Sequence, residues 1–367
     1  MRILRIVPGM VPVVLLIAVF AALGFAQKSP TIYQPTVTAQ NSGTTELLIT
    51  VSPVNSQVVW AAGTHGTFLL TTDGGKTWKS GVVPGAEWFQ FRGVRGVSEK
   101  VAYLQSIGNA PTNFRIYKTE DGGVPWTMQF ENKLAGAFYD CFAFWTPTRG
   151  ISHSDSVNGV FPDLRTTNGT TWESIASNMP PALPGEFSFS ASDTCVATQG
   201  ENNAWIATGG ASIARILATT DGANTWNAYD TPLLSSPSAG AFSVDFRDPS
   251  HGIVGGGDLN PTDPDNARTA ISGDGGQTWR LTNRPPVTGA IFGLSYVRQL
   301  GICNQLCKDV ARYVVVTANT GDAAWTPDEG TTWFVLPGVT GGWAVAFASP
   351  DTGWIVGMGG MILKISF

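Results

Sequence analysis

Thr71-Thr72-Asp73-Gly74-Gly75-Lys76-Thr77-Trp78 is the stretch whose reading decides the fold. Five near-copies follow it. They are Asp121-Gly122-Gly123-Val124-Pro125-Trp126, Asn168-Gly169-Thr170-Thr171-Trp172, Asp221-Gly222-Ala223-Asn224-Thr225-Trp226, Asp274-Gly275-Gly276-Gln277-Thr278-Trp279 and Asp328-Glu329-Gly330-Thr331-Thr332-Trp333. The step from one leading Asp or Asn to the next is roughly fifty residues, and a fixed period of that size marks a repeat architecture. Asp-Gly and Gly-Gly are hairpin signals, because glycine accepts positive φ and Asp bonds the backbone of its own turn. The following Trp lies over the hairpin and buries apolar area. The Asp/Asn, Gly and Trp of all six copies therefore read as scaffold.

Around the motif the chain reads as strands. In the second repeat these are 89–97, 101–105, 114–118 and 126–130, bounded by Gly, Asn and Pro clusters, with the motif between the third and fourth. Four such strands fill one repeat, and no segment shows a sustained helical stripe. A second pattern recurs on the second strand, as in Val59-Trp60-Ala61-Ala62-Gly63, Ala204-Trp205-Ile206-Ala207-Thr208-Gly209 and Gly353-Trp354-Ile355-Val356-Gly357. After the sixth copy one more unit remains, at 343–348, 354–357 and 362–367, and it stops after three strands. Thr36–Gln40 lies ahead of the first repeat and is expected to supply the fourth, closing a ring. The fold expected is all-β: a seven-bladed propeller of four-stranded antiparallel blades over 27–367.

These residues resemble the Asp-box, or BNR, repeat of β-propellers. The box is found in sialidases, xyloglucanase-type hydrolases, sortilin-type receptors and photosystem II assembly factors, so it speaks for fold more than for function. The seven-bladed form with Trp-x-x-Gly second strands looks most like the photosystem II stability/assembly factor type. Phe91-Arg92-Gly93, 138–145, 181–186 and 204–210 are also similar to a group of exported bacterial Asp-box proteins labelled glycosyl hydrolase or oxidoreductase. The sialidase resemblance implies six blades and an Arg-Ile-Pro motif, and this sequence has no Arg-Ile-Pro. The xyloglucanase resemblance implies two propellers with one catalytic Asp each, and this chain holds one.

The N-terminus reads as a secretory signal. Arg2 and Arg5 precede the apolar run 11–23, and Gly24-Phe25-Ala26 offers small residues for cleavage after Ala26. An uncleaved anchor helix is the alternative; no Cys follows the run to carry a lipid. No later segment has the ~20 apolar residues of a membrane span. An exported, periplasmic or secreted, monomeric protein is expected. Its net charge of −5 and few charged residues argue against a nucleic-acid partner, which needs a basic stripe. Cys141, Cys195, Cys303 and Cys307 allow three pairings; a local Cys303–Cys307 bridge with Cys141–Cys195 joining neighbouring repeats is the one expected.

Candidate chemistry is sparse. Asp140, Asp155, Glu186, Asp193, Asp245 and Asp258 fall on inner strands or nearby loops and could share one end of the channel. Two of them about 5–10 Å apart would suit glycoside hydrolysis; otherwise they satisfy turns and backbone amides. Arg92, Arg95 and Arg247 read either as a grip for an anion or carboxylate or as inter-blade ion pairs. His65, His153 and His251 read as loop residues without metal-ligand spacing. The acidic loop 255–266 lacks EF-hand spacing and reads as solvated, with Ca²⁺ as the alternative. No nucleotide or redox fingerprint occurs, so no cofactor and no metal are expected. The function expected is a binding or assembly scaffold that takes a protein or glycan at one face. A glycan-active hydrolase using paired carboxylates at the channel mouth is the alternative.

Overall fold

The computed structural model describes residues 32–108, 111–260, 268–298, 308 and 310–367. The expected signal segment, Cys303, Cys307 and the distal half of the acidic loop lie outside them. Seven four-stranded antiparallel sheets form the blades of a propeller. The innermost strands, in blade order, are Leu48–Pro53, Gln90–Gly96, Tyr139–Thr146, Val196–Gln199, Ala239–Phe246, Ile291–Tyr296 and Gly342–Ser349. Each packs against its neighbours around the ring, and all seven line one central channel. In blade 2 the strands run Gln90–Gly96, Ala102–Ile107, Arg115–Thr119 and Trp126–Glu131, within two residues of the sequence expectation.

Blade 7 closes the ring as expected. Its fourth strand is Thr36–Gln40, paired with Ile362–Ser366 from Thr36 opposite Ser366 to Gln40 opposite Ile362. Gln40 then clamps the next blade. Its amide donates to the Gly74 carbonyl (3.1 Å) and its oxygen accepts the Trp78 indole N–H (3.1 Å). Gln129 repeats this device from blade 2 onto blade 3, with Gly169 (2.9 Å) and Trp172 (3.2 Å) as partners.

The Asp-Gly turns follow one hydrogen-bond scheme. Thr71 Oγ1 donates to Asp73 Oδ1 (2.8 Å) and accepts from Gly75 N (2.9 Å), while Asp73 accepts the Thr77 N–H (2.9 Å) and hydroxyl (2.7 Å). Gly74 and Gly75 sit at φ of 73° and 84°, where a side chain is strained. The scheme recurs at Asp221, Asp274 and Asp328. Asn168 keeps a looser version, and at Asp121 the fifth residue is Pro125, which has no N–H to give. The turns also join blades. The second-strand Trp60 and Trp205 send their indole N–H groups to Ser98 and Gly275 carbonyls of the following blade, each at 2.8 Å. Trp126 goes further than covering its own hairpin: it packs edge-on against Trp60 and Phe68 of blade 1.

These turns define the two ends of the channel. Gly74, Gly122, Gly222 and Gly275 donate to carbonyls in the turn between strands one and two of their own blade. That end is the turn end. The loop end holds the connections between strands two and three and between successive blades.

Ser272 tests the turn scheme. It is buried, and its hydroxyl accepts the Gly276 N–H at 2.9 Å. Ser272→Ala leaves that N–H without a partner and should cost about 1–3 kcal/mol. The measurement is the urea midpoint of the variant against wild type.

Candidate functional site

Six of the seven inner strands carry the same irregularity. The ladder skips one residue near the strand start, and the residues skipped are Ile49, Arg92, Asp140, Phe242, Phe292 and Trp343. A bulge re-aims the side chain it carries. Four of these six, Arg92, Asp140, Phe242 and Phe292, line a pocket of about 230 Å³ at the loop end, together with Phe138, Asp155, Phe187, Phe189 and Leu259. Phe189 stacks on Phe242 at 3.9 Å, and Phe242, Phe292 and Trp343 continue the aromatic arc.

The pocket floor is a segment of blade 4 that leaves its own sheet. Residues 188–194 lie across the channel as a plug. Ser190 accepts a hydrogen bond from Arg92 of blade 2, and Ala191 accepts the Trp343 indole of blade 7 (2.6 Å). Asp193 Oδ1 accepts Phe142 N of blade 3 (2.8 Å), and Thr194 reaches Ser243 of blade 5 (2.7 Å) and Phe292 O of blade 6 (3.1 Å). Beside the plug the backbones nearly touch: a Cβ on Gly209 would stand 2.5 Å from Gly240 Cα. The plug is fastened covalently, because Cys195 is disulfide-bonded to Cys141 of blade 3, the cross-repeat pairing expected.

The carboxylates do not share one end. Asp140 and Asp155 meet at the loop end and hydrogen-bond to each other. Asp155 also accepts Ser188 N at 2.9 Å. Burial pushes Asp140 well above the usual carboxylate range, and the Asp155 charge adds to it. Burial raises Asp155 to about 6, against hydrogen bonds that lower it. The two therefore hold one proton between them near neutral pH. Asp245 is a correction: it sits near the end of its strand, hence at the turn end, where Arg298 grips it at 2.7 and 2.8 Å. Glu186 is locked by Arg215 (2.9 Å) and Thr208 (2.7 Å). Asp258, at the loop end, accepts Asn260 N at 2.9 Å. Asp193 is a capping group inside the plug, held well above the usual range by burial despite hydrogen bonds from Phe142 and Val94.

The three arginines are not one patch. Arg92 points into the mouth beside Asp140, while Arg95, three residues on, lies below the plug. Arg247 is an inter-blade ion pair with Glu329 (2.7 Å) of blade 6, and also pairs with Asp248. Among the histidines, His65 and His251 lie in exposed loops on Glu46 and Asp248. His153 corrects the loop expectation: it is fully buried in the strand Arg149–Ser154, with Nδ1 on Asp163 at 2.9 Å and its ring against Phe161. Strand alternation turns it between sheets, where the carboxylate satisfies it. No group of three or more metal-ligating side chains is found among the described residues.

Sequence reading missed the aromatic arc and the plug. One signal was present, since 241–249 and 342–350 align and place Phe242 and Trp343 at one repeat position. No family model matches the sequence. Over 259 residues it is 25% identical to the photosystem II assembly lipoprotein Ycf48 of Picosynechococcus sp., covering 60% of this chain and 69% of that protein. The solved structure of YCF48 bound to a D1 peptide matches with TM-score 0.63 at 16% identity, over 92% of this chain and 98% of that one. YCF48 from Cyanidioschyzon merolae gives 0.62 at 15% identity, over 90% and 98%. The GH74 xyloglucanase from Xanthomonas campestris gives 0.59 at 10% identity, over 89% of this chain but 53% of that chain. The structural matches establish a shared propeller fold; the sequence match extends the similarity to Ycf48.

The acid pair has a pH signature. Between the ordinary Asp value of 3.8 and about 6 the folded state keeps a proton that the unfolded chain has released. Stability from the pair is therefore full below about 4, falls as pH rises through about 6 while Asp155 ionises, and goes on falling above that as pH approaches the higher value of Asp140. In Asp140→Asn the amide donates to Asp155 without needing that proton. The variant should be about 1–3 kcal/mol more stable than wild type at pH 8, with the difference vanishing near pH 4. Urea midpoints across that range measure it.

Proposed function

We propose that this protein is a binding propeller, an assembly-type scaffold that holds an extended segment of a partner protein across its loop end. The observation that carries the reading is the apolar character of that end. Trp88 is 88% exposed in the connection entering blade 2, and Leu134, Val160, Leu234, Leu259 and Met358 are also exposed on loop-end connections. Large exposed apolar residues gathered on one end mark an interaction surface. The aromatic mouth at its centre is smaller than the roughly 300–1,000 Å³ of small-molecule sites and suits one anchoring side chain. The similarity to Ycf48 and the solved YCF48 complex with a D1 peptide support a polypeptide as the ligand. Export, from the signal-like N-terminus, belongs to the same proposal.

Hydrolysis of glycans finds less support. Among the described residues the one carboxyl pair in the mouth is in mutual contact, whereas glycoside hydrolysis needs the two on opposite sides of a sugar, about 5–10 Å apart. Of the other candidates, Glu186 and Asp245 are paired with arginine, Asp193 is a capping group within the plug, and Asp258 accepts the Asn260 N–H.

The test is fluorescence anisotropy with labelled peptides, the D1 peptide among them, against wild type and Trp88→Ser. Trp88 is so exposed that its loss leaves the fold intact. Affinity should fall at least tenfold in the variant. Equal affinity of the two proteins would remove the loop end from the proposal, and sugar release from polysaccharide by wild type would replace it with the hydrolase reading.

A further inference from the structure

Below the plug the channel changes character. A second cavity of about 340 Å³ lies at the turn end, lined by inner-strand residues from six blades and by the plug and inner strand of blade 4. Its polar walls include Thr50, Ser52, Arg95, Asp193, Asp245 and Arg298.

Two of these are arginines, and they differ. Arg298 is matched by the bidentate carboxylate of Asp245. Arg95 has no hydrogen bond or ion pair with any described residue, and its Nε is sealed from solvent. Burial lowers its pKa and the charge of Arg298 lowers it further, yet a guanidinium starts so far above neutrality that it stays charged. Asp193 does not neutralise it, being turned to Phe142 N and held toward its protonated form by burial. Among the described residues nothing compensates this positive charge, which faces the cavity. Hydroxyl groups line the same cavity. Ser52 Oγ accepts Gly96 N at 3.0 Å, and neither Ser52 nor Thr50 donates its own proton to a described residue. Leaving a buried charge unpaired is strongly destabilising. A forked guanidinium with two hydroxyls free to donate in the same cavity is what an oxyanion needs.

We propose that the turn-end cavity binds a small oxyanion, a carboxylate or phosphate group, on the guanidinium of Arg95 with Thr50 and Ser52 as supporting donors. The site is independent of the loop-end surface, from which the plug divides it. The anion is either a free small molecule or a carboxylate carried on a polypeptide, and the experiment separates these.

Thermal unfolding of the full chain is followed in phosphate and in succinate, with chloride at equal ionic strength as reference. Trp145, which lines the cavity, gives a second, fluorescence readout. A saturable rise in the wild-type midpoint is expected, because a ligand that binds only the folded state stabilises it. Arg95→Gln should weaken binding at least tenfold while unfolding, without anion, no earlier than wild type. Arg95→Lys keeps the charge but loses the fork and should fall between; it carries the comparison if the Gln variant does not fold. A peptide with a free C-terminal carboxylate, run beside its amidated form, distinguishes a polypeptide-borne anion. If every anion and both peptides leave the wild-type midpoint and Trp145 emission at the chloride values, or if the shift persists in Arg95→Gln, the proposal is overturned.

Discussion

Everything in this molecule depends on one short antiparallel pairing, Thr36–Gln40 against Ile362–Ser366. Seven blades stacked side by side leave a raw face on the first and the last. Pairing the earliest strand with the latest turns the stack into a ring and covers both faces at once. Gln40 adds a second fastening by seizing the turn of blade 1, as Gln129 does for blade 3. Only a closed ring has a channel, and only a channel can gather residues from seven separate blades.

The bulges turn that scaffold into something specific. A regular ladder would alternate side chains evenly between faces. Skipping one residue near the start of six first strands delivers Arg92, Asp140, Phe242 and Phe292 to the same mouth. The plug then divides the channel, so an aromatic, acid-bearing pocket and a cationic cavity occupy opposite ends of one axis. The disulfide at Cys195 follows directly after the plug and holds it where five other blades receive it.

What the sequence made legible was whatever follows from local chemistry. The Asp-Gly turns, the blade count and the closing strand came from turn residues and their period. The site was less legible because it depends on where along a strand a residue falls. Asp140 and Asp245 both lie on inner strands, yet one opens its strand and the other ends it, which puts them at opposite ends of the channel. Arg92 and Arg95 are three residues apart and separated by the plug. Residues 187–192 alternate apolar and small like any inner strand, but from Ser190 onward their hydrogen bonds go across the ring to other blades, a pairing that no local pattern encodes. His153 hid for a similar reason, its Asp163 partner coming from beyond the next loop.

The closing strand also orients the molecule. Thr36 begins beside Ser366, where blade 7 would otherwise carry its Asp-Gly turn, and Phe367 donates to the Pro350 carbonyl as the turn glycines do in other blades. Thr36 therefore enters the ring at the turn end, on the side of the cationic cavity, and the aromatic mouth lies at the other end of the channel.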